Sequence, residues 1–285
     1  ELKWLVHVLE KINPAVCFLD VYAFEIDYQR TVRSLVKCLV CLDDRPSRQF
    51  ECDIVLNQNL GVALKDYTSL VSSGMTLLLG PRFALLAPGF LEHACSYQVR
   101  PRPARVLVTM GGSDKFDCTS RVLTELVALP SLVMDIVLGP LYPHSNPMER
   151  IEGLYRHKVQ IHRGLESLLN LARDADIAVT AGGSTVWELA CLGMPMVVLG
   201  TAENQAAVLE GLRAEKAAEV LGYVDSLKPG VIAESTRLLL ADPARLHELS
   251  QRASRLVDGQ GVERVVKAID DFLRDSSRPP THQMN

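Results

Sequence analysis

Two short stretches carry residues in a pattern that suits anion binding. "DIAVTAGGSTVWELACLGMPMVVLGTAENQ", Asp176 to Gln205, passes from an apolar run through Ala-Gly-Gly-Ser-Thr into an amphipathic run. A glycine turn between strand and helix lets backbone amides come close to a ligand. The amides at a helix start point outward, and the helix dipole favours negative charge there. A phosphate or pyrophosphate is the natural guest of Gly182 and Gly183, with Ser184 and Thr185 adding hydroxyl donors. Glu188 follows Thr185 by three residues. It either completes a capping box with the Thr185 amide or accepts from the sugar hydroxyls of a nucleotide. "RVLVTMGGSDKFDCTSRVLTEL" repeats the arrangement around Gly111 and Gly112. In open parallel sheets ligands bind beyond the carboxyl ends of the strands. Two Gly-Gly-Ser turns can thus face one ligand from two sides, or each can simply make a tight junction.

The surrounding sequence supplies the elements such turns need. β-rich runs ("AVCFLD", "SLVKCLVCLDD", "CDIVLNQ", "MTLLLG", "RVLVTM", "LVMDIVLG", "KVQIH", "DIAVT", "PMVVLG") alternate with helical patterns such as "CTSRVLTELVAL", "LESLLNLARDA" and "STVWELACLG". This alternation predicts βαβ units, an α/β fold and mostly parallel sheets. "YQVRPRPARVLV" breaks the pattern, and Pro101 and Pro103 mark an inter-domain connection. The expected division is an N-terminal domain over 1–100, a C-terminal domain over 101–275, and a polar, proline-containing tail over 276–285 that is expected to be disordered. No internal repeat is visible.

Bulk properties exclude several classes. The 285 residues are 48% hydrophobic and 6% aromatic, enough for a sizeable aliphatic core. The formal net charge of −4 gives no broad basic surface, so nucleic acid is not an expected partner. No apolar run approaches the roughly 20 residues that span a bilayer, and no signal peptide is seen. The seven cysteines fall at apolar positions that read as core sites, which fits a reducing, cytoplasmic setting. Cys38 and Cys41 spell a CxxC, but on a strand their odd separation points the thiols to opposite faces. No second CxxC completes a zinc site. No metal or cofactor is expected, and the oligomeric state is left open. The chain opens at Glu1 on an amphipathic stretch, "ELKWLVHVLEKI", which suggests a native start further upstream.

"VTMGGSD", "AGGSTVWELACLGMPMVVL" with "AENQ" after it, and "LDDRPSRQFECDIVLNQNL" followed by "LLLGPRFALL" resemble the UDP-2,4-diacetamido-2,4,6-trideoxy-β-L-altropyranose hydrolases of bacterial pseudaminic acid biosynthesis. The resemblance runs from about Phe18 to about Leu273. More distantly, the Gly-Gly-Ser turns and the Glu188 region are similar to the lipid II-forming N-acetylglucosaminyl transferases. Both families have the GT-B fold, two Rossmann-like domains with the active site in the cleft between them.

The resemblance implies a UDP-sugar as small-molecule substrate. It implies that Gly182, Gly183, Ser184 and Thr185 hold the diphosphate and that Glu188 accepts from the ribose. Asn204 and Gln205 would reach the diphosphate or the sugar. Gly111, Gly112, Ser113 and Asp114 would close the cleft floor, and the strand edge around His162 would meet the uracil. His162 alone reads more readily as a surface histidine than as a ligand. In the first domain, Asp20 and Tyr22 match the family's Asp-His-Tyr-Gly motif, with Val21 and Ala23 at its other positions. Tyr22 is thereby the catalytic candidate, touching the sugar, or else a packing tyrosine. Asp43 and Asp44 match an acidic pair expected to serve structure. The family's opening Gly-x-Gly-His-x-x-Arg turn has no counterpart, so the first domain is expected to be truncated at its front. The implied reaction is water attack at the anomeric carbon with release of UDP. A glycosyltransferase and a non-catalytic UDP-sugar binder are the alternatives.

Overall fold

The computed structural model describes residues 2–20, 25–72, 74–144, 153–155 and 157–275. The chain forms two compact units, Glu1–Leu85 with Gln260–Asn285, and Leu86–Gly259.

The first unit starts with helix α1 (Leu2–Ile12) and strand β1 (Val16–Leu19), followed by α2 (Ile26–Arg33), β2 (Cys38–Leu42), β3 (Ile54–Asn57), the single turn α3 (Leu64–Tyr67) and β4 (Thr76–Leu79). The four strands pair in sequence order, all parallel. One face packs Leu39, Cys41 and Val55 against Leu9 of α1, Val32 of α2 and Tyr67 of α3.

The second unit runs β5 (Arg105–Thr109), α4 (Cys118–Leu126), β6 (Val133–Leu138), β7 (Val159–Arg163), α5 (Leu169–Asp174), β8 (Ile177–Ala181), α6 (Thr185–Leu192), β9 (Met196–Gly200), α7 (Ala206–Ala214), β10 (Glu219–Tyr223), α8 (Val231–Leu240) and α9 (Pro243–Leu256). Its six parallel strands lie in the order β7-β6-β5-β8-β9-β10. Numbered within the unit, this is the 3-2-1-4-5-6 order of doubly wound nucleotide-binding sheets, with the reversal between β5 and β8. β8 and β9 are buried along their whole length. Their unbroken apolar sequences follow from having both faces covered.

The last helix, α10 (Gly261–Arg274), belongs to the first unit. Val265 and Ile269 pack on the second face of its sheet, against Cys38, Val40, Ile54 and Leu56. A Cβ on Gly261 would lie 2.1 Å from the Ala84 carbonyl oxygen, so only glycine lets the helix start this close to the Pro81–Phe83 turn.

All nine strands expected from the sequence are present, and the fold is α/β with parallel sheets. Several expectations are corrected. β10 carries a register irregularity between Val220 and Gly222 and is only half-buried, so its sequence shows neither alternation nor an apolar run. The break between units lies at residue 85 rather than near 100. The last helix was expected with the 101–275 domain but covers the first sheet, because its apolar stripe is complementary to that face. The expected tail over 276–285 lies outside the described residues. The CxxC thiols do point to opposite faces, Cys41 in one core cluster and Cys38 in the other. Cys95 departs from the expected core placement, being exposed with φ of 55°.

Candidate functional site

The site is built at the sheet's order reversal. β8 ends at Ala181, Gly182 and Gly183 turn the chain, and α6 starts at Thr185. The Gly182 amide still donates to the Leu199 carbonyl of β9 at 2.9 Å. The first intrahelical donors are Val186, to the Gly183 carbonyl, and Trp187, to Ser184. The amides of Gly183, Ser184 and Thr185 therefore find no acceptor among the described residues. Ser184, at the N-cap, makes no side-chain capping bond. Uncapped amides at a helix start form a ready anion site. The far end of α6 is fixed by Gly193 in the left-handed region, with Met194 N donating to the Leu189 carbonyl and Gly193 N to Ala190.

The first Gly-Gly-Ser turn differs. Gly111 has φ of 83°, which only glycine adopts without strain. The Asp114 carboxylate accepts from Cys118 N at 2.8 Å and Thr119 N at 2.9 Å, occupying the start of α4. Asp117 accepts from Ser120 N and from the Tyr142 hydroxyl. Burial, and then the neighbouring carboxylates, push the Cys118 thiol up to about 12. Asp114 was expected on the floor of the binding site. It borders the pocket, but its oxygens serve the protein's own helix, leaving the backbone of Gly111, Gly112 and Ser113 as the exposed wall.

Between the two turns lies a cavity of about 370 Å³. It is lined by the first turn from Met110 to Phe116, by Thr180, Ala181, Gly183, Ser184 and Thr185, and by Thr201, Ala202, Asn204 and Gln205. Nine of the expected site residues thus meet in one place. Gln205 is folded back, its Oε1 accepting from Thr201 N at 2.8 Å, so it shapes the loop after β9. Gly182 is absent from the lining. A Cβ there would stand 3.1 Å from Leu209 of α7, whereas one on Gly183 would meet nothing within 4 Å.

Other expected residues lie apart from this pocket. The capping box at α6 does not form, since the helix starts at Thr185 itself and Glu188 sits in its fourth position. Glu188 is half-buried outside the lining. Burial raises its carboxyl above the ordinary value, and a hydrogen bond from the Ala87 backbone offsets part of that. His162 Nε2 pairs with Asp135 Oδ1 at 2.9 Å, and Asp135 also accepts from Arg105 Nε at 2.6 Å, a triad across β5, β6 and β7. Tyr22 lies outside the described residues. In the first unit, the Tyr67 hydroxyl donates to Asp43 Oδ2 at 2.6 Å, and Asn57 Nδ2 donates to the Tyr67 oxygen at 2.9 Å. Buried Asp43 is thereby engaged in structure at the end of β2, with its carboxyl held above the ordinary range by burial.

The sequence reading missed Thr180, Thr201, Lys115 and Gly139. A Cβ on Gly139 would lie 2.3 Å from both the Gly111 and the Gly112 carbonyl oxygens. This glycine at the end of β6 gives room for the first turn. Its only signal in the sequence is a glycine directly after a strand.

These features give an α/β fold of two Rossmann-like units, the GT-B fold. The structure resembles MurG of Acinetobacter baumannii, with a TM-score of 0.63 at 15% identity, covering 95% of this chain and 76% of that one. It also resembles the pneumococcal O-GlcNAc transferase GtfA in complex with UDP and GlcNAc, with a TM-score of 0.62 at 12% identity, covering 95% and 60%. No family model matches the chain. Among curated sequences, an uncharacterized protein of Methanocaldococcus jannaschii is 29% identical over 205 residues, 69% of this chain and 42% of that protein. The spore coat polysaccharide biosynthesis protein SpsG of Bacillus subtilis is 30% identical over 199 residues, 68% and 58%. The chain thus spans about half the length of these two relatives. The UDP-2,4-diacetamido-2,4,6-trideoxy-β-L-altropyranose hydrolase of Campylobacter jejuni is 20% identical over 216 residues, 76% and 77%.

Proposed function

We propose that this protein binds the UDP part of a UDP-sugar in the pocket between the two Gly-Gly-Ser turns and acts in sugar biosynthesis by cleaving the bond at the anomeric carbon. The carrying observation is the uncapped start of α6 at the order reversal of the second sheet, opening into a cavity lined with amides and hydroxyls. The names of the relatives support this reading. One acts in spore coat polysaccharide synthesis, one is a UDP-sugar hydrolase, and the GtfA structure holds UDP.

In this account Gly183, Ser184 and Thr185 receive the diphosphate, Gly182 lets the turn pack closely on α7, and Asn204 and Gln205 border the sugar side. Glu188 is assigned to the ribose hydroxyls, the strand edge around His162 to the uracil and Tyr22 to the sugar. The preferred reaction is hydrolysis of a UDP-linked diacetamido-trideoxy hexose. A water oxygen bonds to C1 and gives up a proton to solvent, the C1–O bond to the diphosphate breaks, and UDP leaves with the electron pair while configuration inverts. The amides and hydroxyls stabilise the charge that grows on the leaving diphosphate. Transfer to an acceptor other than water is the second reading, favoured by the likeness to MurG and GtfA. The seven free thiols suit a reducing, cytoplasmic setting, and among the described residues no helix is long and apolar enough to cross a membrane.

Product analysis tests this. The protein is incubated with UDP-sugars, with and without sugar acceptors. Free reducing sugar plus UDP is the expected result. A conjugate formed only with acceptor present would establish transfer. Retention of UDP-sugar without turnover would reduce the protein to a binder, and no interaction at all would contradict the nucleotide-sugar reading.

A further inference from the structure

The pocket's charge balance singles out one side chain that neither the sequence pattern nor the relatives' names assign. A nucleoside diphosphate brings two or more negative charges. The start of α6 offers about half an elementary charge. The start of α4 would offer as much, but the Asp114 carboxylate sits on it through Cys118 N and Thr119 N, so that end presents no positive field to a guest. Asp114 is also the only carboxylate among the lining residues, and Lys115 is the only cation. The Lys115 side chain is exposed at the rim and makes no ion pair among the described residues.

Its backbone, in contrast, is held. The Lys115 carbonyl is 3.0 Å from His144 Nε2, and Asp117 N donates to the Asp114 carbonyl at 3.0 Å across the same tight turn. Asp114 itself adopts a left-handed φ of 36°, fixed by its two bonds to α4. The capping carboxylate thus cancels one helix start and shapes the turn that presents, at the cavity edge, an ammonium group with no ion-pair partner among the described residues. A lysine without a carboxylate partner keeps its charge for a guest, and its flexible stem can follow an anion that is arriving or leaving.

We propose that Lys115 is the counter-charge of the diphosphate, a specificity-determining residue that makes this pocket select a diphosphate-bearing ligand over the bare nucleoside. This rests on the UDP reading above. It adds that the anion is held by one helix start and one lysine, rather than by two helix starts.

The test is a calorimetric titration of the whole chain and of Lys115→Ala, Lys115→Arg and Lys228→Ala with UDP and with uridine, at low and at moderate salt. Lys228 is exposed on the same unit, outside the pocket, so its substitution removes the same charge elsewhere. Lys115→Ala is expected to weaken UDP binding by about tenfold, the scale of a lost charge-assisted contact. It should flatten the salt dependence of UDP binding and leave uridine within about twofold. Lys115→Arg should restore most of the affinity, and Lys228→Ala should match the wild type. An unchanged UDP affinity and salt slope in Lys115→Ala would overturn the assignment while leaving the nucleotide reading standing. So would an equal loss for UDP and uridine. Failure of the folded wild-type chain to bind UDP would overturn both.

Discussion

Gly182 and Gly183 are neighbours in one turn, yet they are glycine for different physical reasons. Gly182 faces inward, where a Cβ would press on Leu209, and Gly183 faces open space beside three amides that find no acceptor among the described residues. The first answers to packing, and the second leaves the approach to the amides clear. Glu188, one helical turn further on, shows how burial tunes a single group. Burial raises its carboxyl above the ordinary value of 4.5, more than the Ala87 backbone lowers it. Between 4.5 and that raised value the folded chain binds the proton more readily than the unfolded chain. The stability contributed by this group is therefore fully present at low pH and falls as pH rises through the window. Glu188→Gln is expected to be more stable than the wild type at pH 7, with the difference vanishing on acidification towards pH 4. Urea unfolding at the two pH values measures it, and a variant that is less stable at pH 7 would show that the ionised carboxylate is welcome in the fold.

At the scale of elements, two stretches that read alike perform differently. Both carry strand, Gly-Gly-Ser and helix, and both turns were legible from glycine spacing and apolar runs. Their difference was not, because it rests on where carboxylates point. Asp114 and the N-cap Asp117 both cap α4, while Ser184 leaves α6 uncapped. The capping box expected at Thr185 and Glu188 fails for a similar reason, since the helix starts one residue earlier than that motif requires. The first turn also depends on a glycine that its own sequence does not contain. Gly139→Ala would place a methyl group 2.3 Å from two backbone oxygens of the turn. The turn must shift, and overpacking of this kind costs about 1–3 kcal/mol. The expected outcome is a lower urea midpoint together with weaker UDP binding. Wild-type values for both would mean that Gly139 is not what positions the turn.

At the scale of the whole molecule, the strand-order reversal in the second sheet creates the site. Between β5 and β8 the two turns diverge to opposite faces of the sheet and leave a cavity beyond the strand ends. Alternation in the sequence was enough to predict parallel α/β units and nine of the strands, since buried parallel strands are continuous apolar runs. It could not assign α10 to its sheet. That depends on Val265 and Ile269 meeting Val40 and Ile54 more than 200 residues away, and local pattern carries no record of a partner. It also missed β10, whose bulge and partial exposure erase both strand signals. The proposed function requires the pocket of the second unit to receive UDP. Calorimetric titration of the folded chain with UDP, with ADP as control, tests it most directly. Saturable binding of UDP, with ADP clearly weaker, is the expected result. Absence of UDP binding by a folded sample, or equal binding of the two nucleotides, would contradict it.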